Sequence, residues 1–143
     1  MTRRVLLVED DPFDVDLIRR TIRKIEESSG MTIKVDNVRN GRDALERLFD
    51  GSQLRTPKYH LILLDLNMPI MGGHEVLQFV RQHPLGGLLP IVVLTTSNTE
   101  MDIERAWTQG AKGYLPKPAQ PEAFQKMLDA LRAYWFEHLK LPA

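Results

Sequence analysis

Three stretches of the chain are apolar without interruption: Val5-Leu6-Leu7-Val8, Leu61-Ile62-Leu63-Leu64 and Ile91-Val92-Val93-Leu94. A strand with apolar side chains on both faces must be covered on both, so these three predict interior strands of a parallel sheet. Ile33 to Val38 (IKVDNV) alternates instead, which predicts a strand with one wetter face, at a sheet edge. A fifth short strand is expected over Lys112 to Leu115, bounded by Gly110 and Pro116. Between the strands the apolar period lengthens to that of a helix. Phe13 to Glu27 sets Leu17, Ile18, Ile22 and Ile25 on one face; Arg42 to Phe49 sets Ala44, Leu45, Leu48 and Phe49. Gly73 to His83 carries Val76, Leu77 and Val80, and Thr99 to Gln109 carries Met101, Ile103, Ala106 and Trp107 with a weaker period. A last helix is expected from about residue 121 to 140, with Pro121 in its first turn, where a missing N–H costs nothing.

Strand and helix thus alternate five times. That order predicts an α/β fold, a doubly wound parallel sheet with right-handed crossovers and helices on both faces. An antiparallel α+β arrangement is the weaker reading, since no Asn-Gly or Asp-Gly turn is seen joining neighbouring strands. Asn40-Gly41 is followed by a helical pattern and reads as a strand-to-helix turn. Residues 50–59 (DGSQLRTPKY) are polar, with Gly51 and Pro57, and predict an extended surface loop.

Composition narrows the function. One domain of 143 residues accommodates all of this, and 43% hydrophobic with 27% charged residues argues for a packed core rather than disorder. Nineteen basic and nineteen acidic residues cancel, so the basic excess of a nucleic-acid binder is missing. Without cysteine there is no disulfide scaffold, thiol catalysis or cysteine-ligated zinc. No apolar run is long enough for a membrane span or signal-peptide core, and a cytoplasmic location is the expectation.

In open parallel sheets ligands bind beyond the carboxyl ends of the strands. This chain places its acids there: Glu9-Asp10-Asp11 directly after the first strand, Asp65 directly after the third. Carboxylates converging on one rim repel one another unless a hard cation neutralises them, and Mg²⁺ suits an all-oxygen set. Asn67, two residues past Asp65, could add its backbone carbonyl. Asp11, beside Pro12, reads as a helix cap. Thr95 ends the fourth strand and Lys117 follows the fifth, which adds a hydroxyl and an ammonium to the same rim. Carboxylate-bound cation, ammonium and hydroxyl together describe a site for a dianionic phosphoryl group.

The blocks VEDD (Val8 to Asp11), LLDLNMPIMGG (Leu63 to Gly73), VVLTTS (Val92 to Ser97) and GYLPKP (Gly113 to Pro118) resemble the receiver domains of bacterial two-component response regulators, over roughly residues 3 to 135. The resemblance implies a flavodoxin-like sheet of strand order 2-1-3-4-5, and phosphoryl transfer from a sensor histidine kinase onto an aspartate. Matched residue by residue, Asp65 is the phosphoacceptor, Asp10 a direct Mg²⁺ ligand, Glu9 an acid holding the metal through water, and Asn67 a ligand through its backbone carbonyl. Thr95 takes the place of the switch hydroxyl, Lys117 of the phosphoryl-binding lysine and Tyr114 of the switch aromatic. Gly72-Gly73 departs from the acid-glycine pair of many relatives and predicts a looser loop after the third strand. The lengthened 50–59 segment resembles that of single-domain regulators paired with bacterial phytochrome-like kinases.

The predicted elements use the chain to about residue 140, so the expectation is a receiver domain over residues 1–143 with no attached DNA-binding module. Output then passes through protein contact or onward to a histidine phosphotransfer protein. A scaffold built on an inert receiver fold is the alternative, but the acceptor and lysine it would have lost are both present. In the last helix Phe124, Leu128 and Leu131 suffice for the core. Tyr134, Trp135, Phe136 and Leu139 exceed it and predict a homodimer interface.

Overall fold

In a computed structural model, which describes residues 2–50, 53–54, 59–84 and 86–133, the unbroken apolar runs form the middle of a parallel sheet. β1 (Thr2–Val8) lies between β2 (Thr32–Val38) and β3 (Leu61–Leu64); β4 (Ile91–Thr95) and β5 (Gly113–Pro116) extend the sheet in the order β2-β1-β3-β4-β5. The register pairs Val8 with both Val38 and Leu64, and Thr95 with Pro116, so the strands end at one rim. The alternating segment is the edge strand β2, as its pattern predicts.

Side-chain alternation divides the core in two. Leu6, Val8, Ile62 and Leu64 point to one face and pack with Ala44 and Leu48 of α2 (Gly41–Leu48), Val76, Leu77 and Val80 of α3 (Gly73–Gln82), and Ala106 of α4 (Glu100–Thr108). Val5, Leu7, Leu61 and Leu63 point to the other, against Ile18, Ile22 and Ile25 of α1 (Pro12–Ser29) and Phe124 and Leu128 of α5 (Pro121–Ala133). Burying each such side chain is worth about 1.5–3 kcal/mol in gross transfer energy, which makes these two layers the main support of the rim. α1 opens on Asp11, whose carboxylate accepts the Phe13 N–H at 2.9 Å, and stops at Gly30 with φ 73°.

Two readings of the sequence change. Phe49–Asp50 pairs antiparallel with Gln53–Leu54, so a short hairpin stands where the end of the second helix, at Phe49, and a loop from residue 50 were expected. Asp50 itself pairs with Gln53, so the dipeptide between the paired residues is Gly51-Ser52, a turn signal hidden by flanking strands only two residues long. α4 packs through Ala106 alone among its buried residues, while Met101 and Trp107 are exposed, which accounts for its weak apolar period. Tyr59, the last residue of the expected surface loop, is buried against the core; residues 51–52 and 55–58, and Tyr134, Trp135, Phe136 and Leu139, lie outside the described residues.

Candidate functional site

Among the described residues the rim gathers four acids and one lysine. Glu9 leaves β1 with its N–H on the Val38 carbonyl at 3.0 Å, and Asp65 leaves β3 with its N–H on the Val8 carbonyl at 3.0 Å. These bonds continue the sheet one residue past each strand and fix both acids at the same height. Glu9, Asp10 and Asp65 each offer a carboxylate oxygen, all within 4.8 Å of one another. Three anionic oxygens this close, with no sulfur or nitrogen among them, fit a hard divalent cation.

Lys117 supplies the positive charge present. Its side chain is only 4% exposed; its Nζ donates to Glu9 Oε1, to Asp14 Oδ2 at 2.8 Å, and stands 3.8 Å from Asp65 Oδ2. Burial opposes the ammonium, yet the bonds to Asp14 and Glu9 and the charge of Asp65 outweigh it and raise its pKa. Glu9, 2% exposed, is pushed up to about 7: burial dominates, Asp65 adds to it, and the bond from Lys117 offsets it only in part. One ammonium shared among three carboxylates leaves the cluster short of positive charge.

The loop after β3 is held tightly. Asn67 is exposed, with its N–H on Asp65 Oδ1 at 3.3 Å. Gly73 donates to the Leu66 carbonyl at 3.0 Å, and a Cβ there would collide with the Asp65 backbone. The glycine pair read as a source of looseness therefore supplies clearance, allowing α3 to start against the acid-bearing turn. Ile70 has φ 68°, and Met71 N–H reaches the Pro69 carbonyl at 2.7 Å across it. This is a γ-turn centred on an exposed β-branched residue, a conformation costing about 1–3 kcal/mol. Met71 in turn accepts the Gly41 N–H at 2.8 Å, which ties the loop to the start of α2.

Thr95, fully buried at the end of β4, accepts the Ser97 N–H on its Oγ1 at 3.4 Å, leaving its hydroxyl hydrogen to donate elsewhere. Tyr114 on β5 is half-buried and donates its hydroxyl to the Ser97 carbonyl at 2.8 Å. Thr95 and Tyr114 thus meet through Ser97. The structure brings Glu9, Asp10, Asp65, Thr95 and Lys117 to one rim, with Asn67 on the adjoining turn. Sequence reasoning missed Asp14, whose place in the first turn of α1 marked it only as favourable to the helix dipole. It also missed Asp102 and His74, which bond to each other at 2.9 Å beside Ser97. Thr99-x-x-Asp102 had the form of an N-terminal cap, and Thr99 does accept the Asp102 N–H at 3.2 Å.

Known proteins resemble this chain over nearly its whole length. A sequence model described as the response regulator receiver domain matches residues 5–129. The response regulator Rcp1 of Synechocystis is 34% identical over 140 residues, covering 97% of this chain and 92% of its own. A probable methanogenesis regulatory protein, FilR2 of Methanothrix harundinacea, is 34% identical over 133 residues, covering 92% and 82%. The crystal structure of Mn²⁺-bound Rcp1 superposes with a TM-score of 0.86 at 33% identity, covering 99% of both chains. That of the phosphorylated cyanobacterial phytochrome response regulator RcpA gives 0.86 at 29% identity over the whole of both.

Proposed function

The chain belongs to the response regulator receiver family, and on that premise we propose that Asp65 accepts a phosphoryl group from the phosphohistidine of a sensor histidine kinase. The observation that carries this reading is the convergence of Glu9, Asp10 and Asp65 with a buried Lys117 whose Nζ stands 3.8 Å from Asp65. A carboxylate oxygen of Asp65 attacks phosphorus; the P–N bond breaks and its electrons leave with the donor imidazole. Lys117 neutralises charge on the transferred group, and the free hydroxyl hydrogen of Thr95 donates to one of its oxygens. Asp10, Asp65 and the Asn67 carbonyl, with Glu9 acting through water, would hold Mg²⁺, which when bound would neutralise charge on the phosphoryl oxygens. Water attack on phosphorus later breaks the bond to the Asp65 oxygen, releasing inorganic phosphate and restoring the Asp65 carboxylate. Neither Asn67 nor Ser97 is an acid that could activate that water, so this hydrolysis is slow.

Phosphorylation shifts a population between two packings of the Thr95–Ser97 loop, Tyr114 and the α4–β5–α5 surface. The partner is a kinase of the phytochrome type, a reading supported by full-length similarity to RcpA, which is described as a phytochrome response regulator. Onward transfer from Asp65 to a histidine phosphotransfer protein is compatible with the same chemistry. The domain spans residues 1–143, acts in the cytoplasm, and pairs with a second copy through Tyr134, Trp135, Phe136 and Leu139. Among the described residues no helix is long and apolar enough to cross a membrane.

Intact mass after incubation with Mg²⁺ and acetyl phosphate tests the reading. Wild type should gain one phosphoryl group and Asp65→Asn none. A wild type that gains nothing would leave the scaffold alternative standing.

A further inference from the structure

Ser97 is gripped at three points. Its N–H lies on Thr95 Oγ1 at 3.4 Å, its carbonyl accepts the Tyr114 hydroxyl at 2.8 Å, and its own hydroxyl donates to Asp102 Oδ2. The first two contacts lead to the groups that sense a phosphoryl group. The third leads elsewhere: Asp102 sits in the first turn of α4, and its other oxygen accepts the Nε2–H of His74 at 2.9 Å, from the first turn of α3. A carboxylate accepts at both oxygens, so the ring must present its proton at Nε2, and its Nδ1 is buried with no hydrogen-bond partner. The Ser97 and His74 bonds hold the Asp102 carboxyl below the usual carboxylate range, so it stays a charged acceptor.

Neither contact is needed to cap α4, because Thr99 already does so. Nor does either residue reach the acidic rim, whose acids are Glu9, Asp10, Asp14 and Asp65. What Asp102 does is tie the loop that follows Thr95 to the start of α3.

We infer that Asp102, oriented by His74, is a positioning residue for phosphoryl capture and switching: it holds Ser97 where the Ser97 amide orients the Thr95 hydroxyl and the Ser97 carbonyl receives Tyr114. Two helix N-termini and one loop are thereby locked to a single serine. When that lock is absent, the Ser97 amide and carbonyl wander together, so Thr95 and Tyr114 lose their settings at once. The inference rests on the phosphoryl-transfer reading above, and its consequences are confined to steps after cation binding.

The test uses the full chain and three readouts: Mg²⁺ affinity by calorimetry, the rate of phosphoryl uptake from acetyl phosphate by intact mass, and the ¹⁹F resonance of Tyr114 in 3-fluorotyrosine-labelled protein, assigned through Tyr114→Phe. Asp102→Ala should leave Mg²⁺ affinity unchanged, slow uptake about three- to tenfold, and shift the Tyr114 resonance in the unphosphorylated protein. Ser97→Ala should reproduce both effects without touching α4, which keeps the test valid if Asp102→Ala fails to fold; Ser97→Thr, which keeps the hydroxyl, should restore wild-type behaviour. Combining Asp102→Ala with Tyr114→Phe should add little to either alone, since both act through Ser97. Unchanged uptake and an unmoved Tyr114 resonance in Ser97→Ala would overturn the inference, as would simple additivity in the double variant. Failure of wild type itself to take up a phosphoryl group would strike the underlying reading, which the same mass measurement reports separately.

Discussion

Two acid-bearing regions of this molecule have opposite electrostatics. At the rim, Glu9, Asp10, Asp14 and Asp65 face one ammonium, and the pKa of Glu9 climbs to about 7. Along β1 and β2, one acid, Asp36, has more partners than it needs. It accepts the Tyr59 hydroxyl at 2.6 Å and Arg4 Nη2 at 3.1 Å, with Arg47 at 3.7 Å, and the Arg4 guanidinium lies 5.3 Å from the centre of the Tyr59 ring. The Tyr59 bond, then Arg4 and Arg47, hold Asp36 below the ordinary aspartate range. A satisfied acid stabilises what is already folded. A cluster that is short of positive charge stores an affinity for something not yet bound, and that contrast separates structure from function here without reference to either residue type.

The largest effect should come from exchanging acid for amide in each region. Asp65→Asn should abolish phosphoryl uptake with the thermal midpoint hardly moved, because the amide is nearly isosteric and the cluster loses one repelling charge. Asp36→Asn should do the reverse, keeping uptake and costing about 1–3 kcal/mol in urea melts through its charge-assisted bonds. Uptake by Asp65→Asn at another residue would mean that the rim has been assigned to the wrong acid.

Next is Lys117→Ala. Removing the ammonium should slow uptake about a hundredfold, the scale of losing one preorganised charge donor, while leaving Mg²⁺ binding measurable. Breaking a buried pair ordinarily costs about 3–5 kcal/mol, but Glu9 can take up a proton, so the loss here should be smaller. A variant that phosphorylates at the wild-type rate would reduce the lysine to a structural counter-ion.

The two regions should also respond oppositely to pH. Glu9 has a folded pKa above its unfolded value of 4.5, so its contribution is complete below about 4.5 and is lost as pH rises through about 7. Asp36 has a folded pKa below 3.8, so its contribution is present above 3.8 and is lost only as pH falls through the lower value. Metal-free protein should therefore weaken to urea as pH rises from about 4.5 through about 7, and Mg²⁺ should restore more stability above that range, where Glu9 is ionised. Equal stabilisation by Mg²⁺ at both ends would separate Glu9 from the cation.

Most of this rim was legible in the sequence because each acid directly follows an unbroken apolar run, and chain order alone then places it at a strand end. Glu9, Asp65, Thr95 and Lys117 needed no tertiary information beyond the fold class. Asp14, His74 and Asp102 did: each lies in the first turn of a helix, where an acid or polar group is expected for local reasons. Their partners are 103, 28 and 5 residues away in sequence. The hairpin at Phe49–Leu54 was hidden for a different reason. Strands of two residues have no period to detect, so only the turn dipeptide Gly51-Ser52 between them could have signalled them.

The smallest effect tests the boundary between the two kinds of acid within one tripeptide. Asp10 contributes an oxygen to the rim cluster, whereas its neighbour Asp11 turns away and caps α1 through the Phe13 N–H at 2.9 Å. Asp10→Ala should lower Mg²⁺ affinity at least about tenfold, since it removes an anionic ligand from a small hard cation. Asp11→Ala should leave that affinity within about twofold and cost about 0.5–2 kcal/mol of stability, the usual range for losing an N-cap. The cost should fall toward the lower end, because Pro12 already fixes the first helical residue and leaves one fewer orphan donor. Calorimetric titration of both variants beside urea melts checks the pair. Equal losses of Mg²⁺ affinity would show that the long-range field of the triplet, rather than one directed carboxylate, holds the cation.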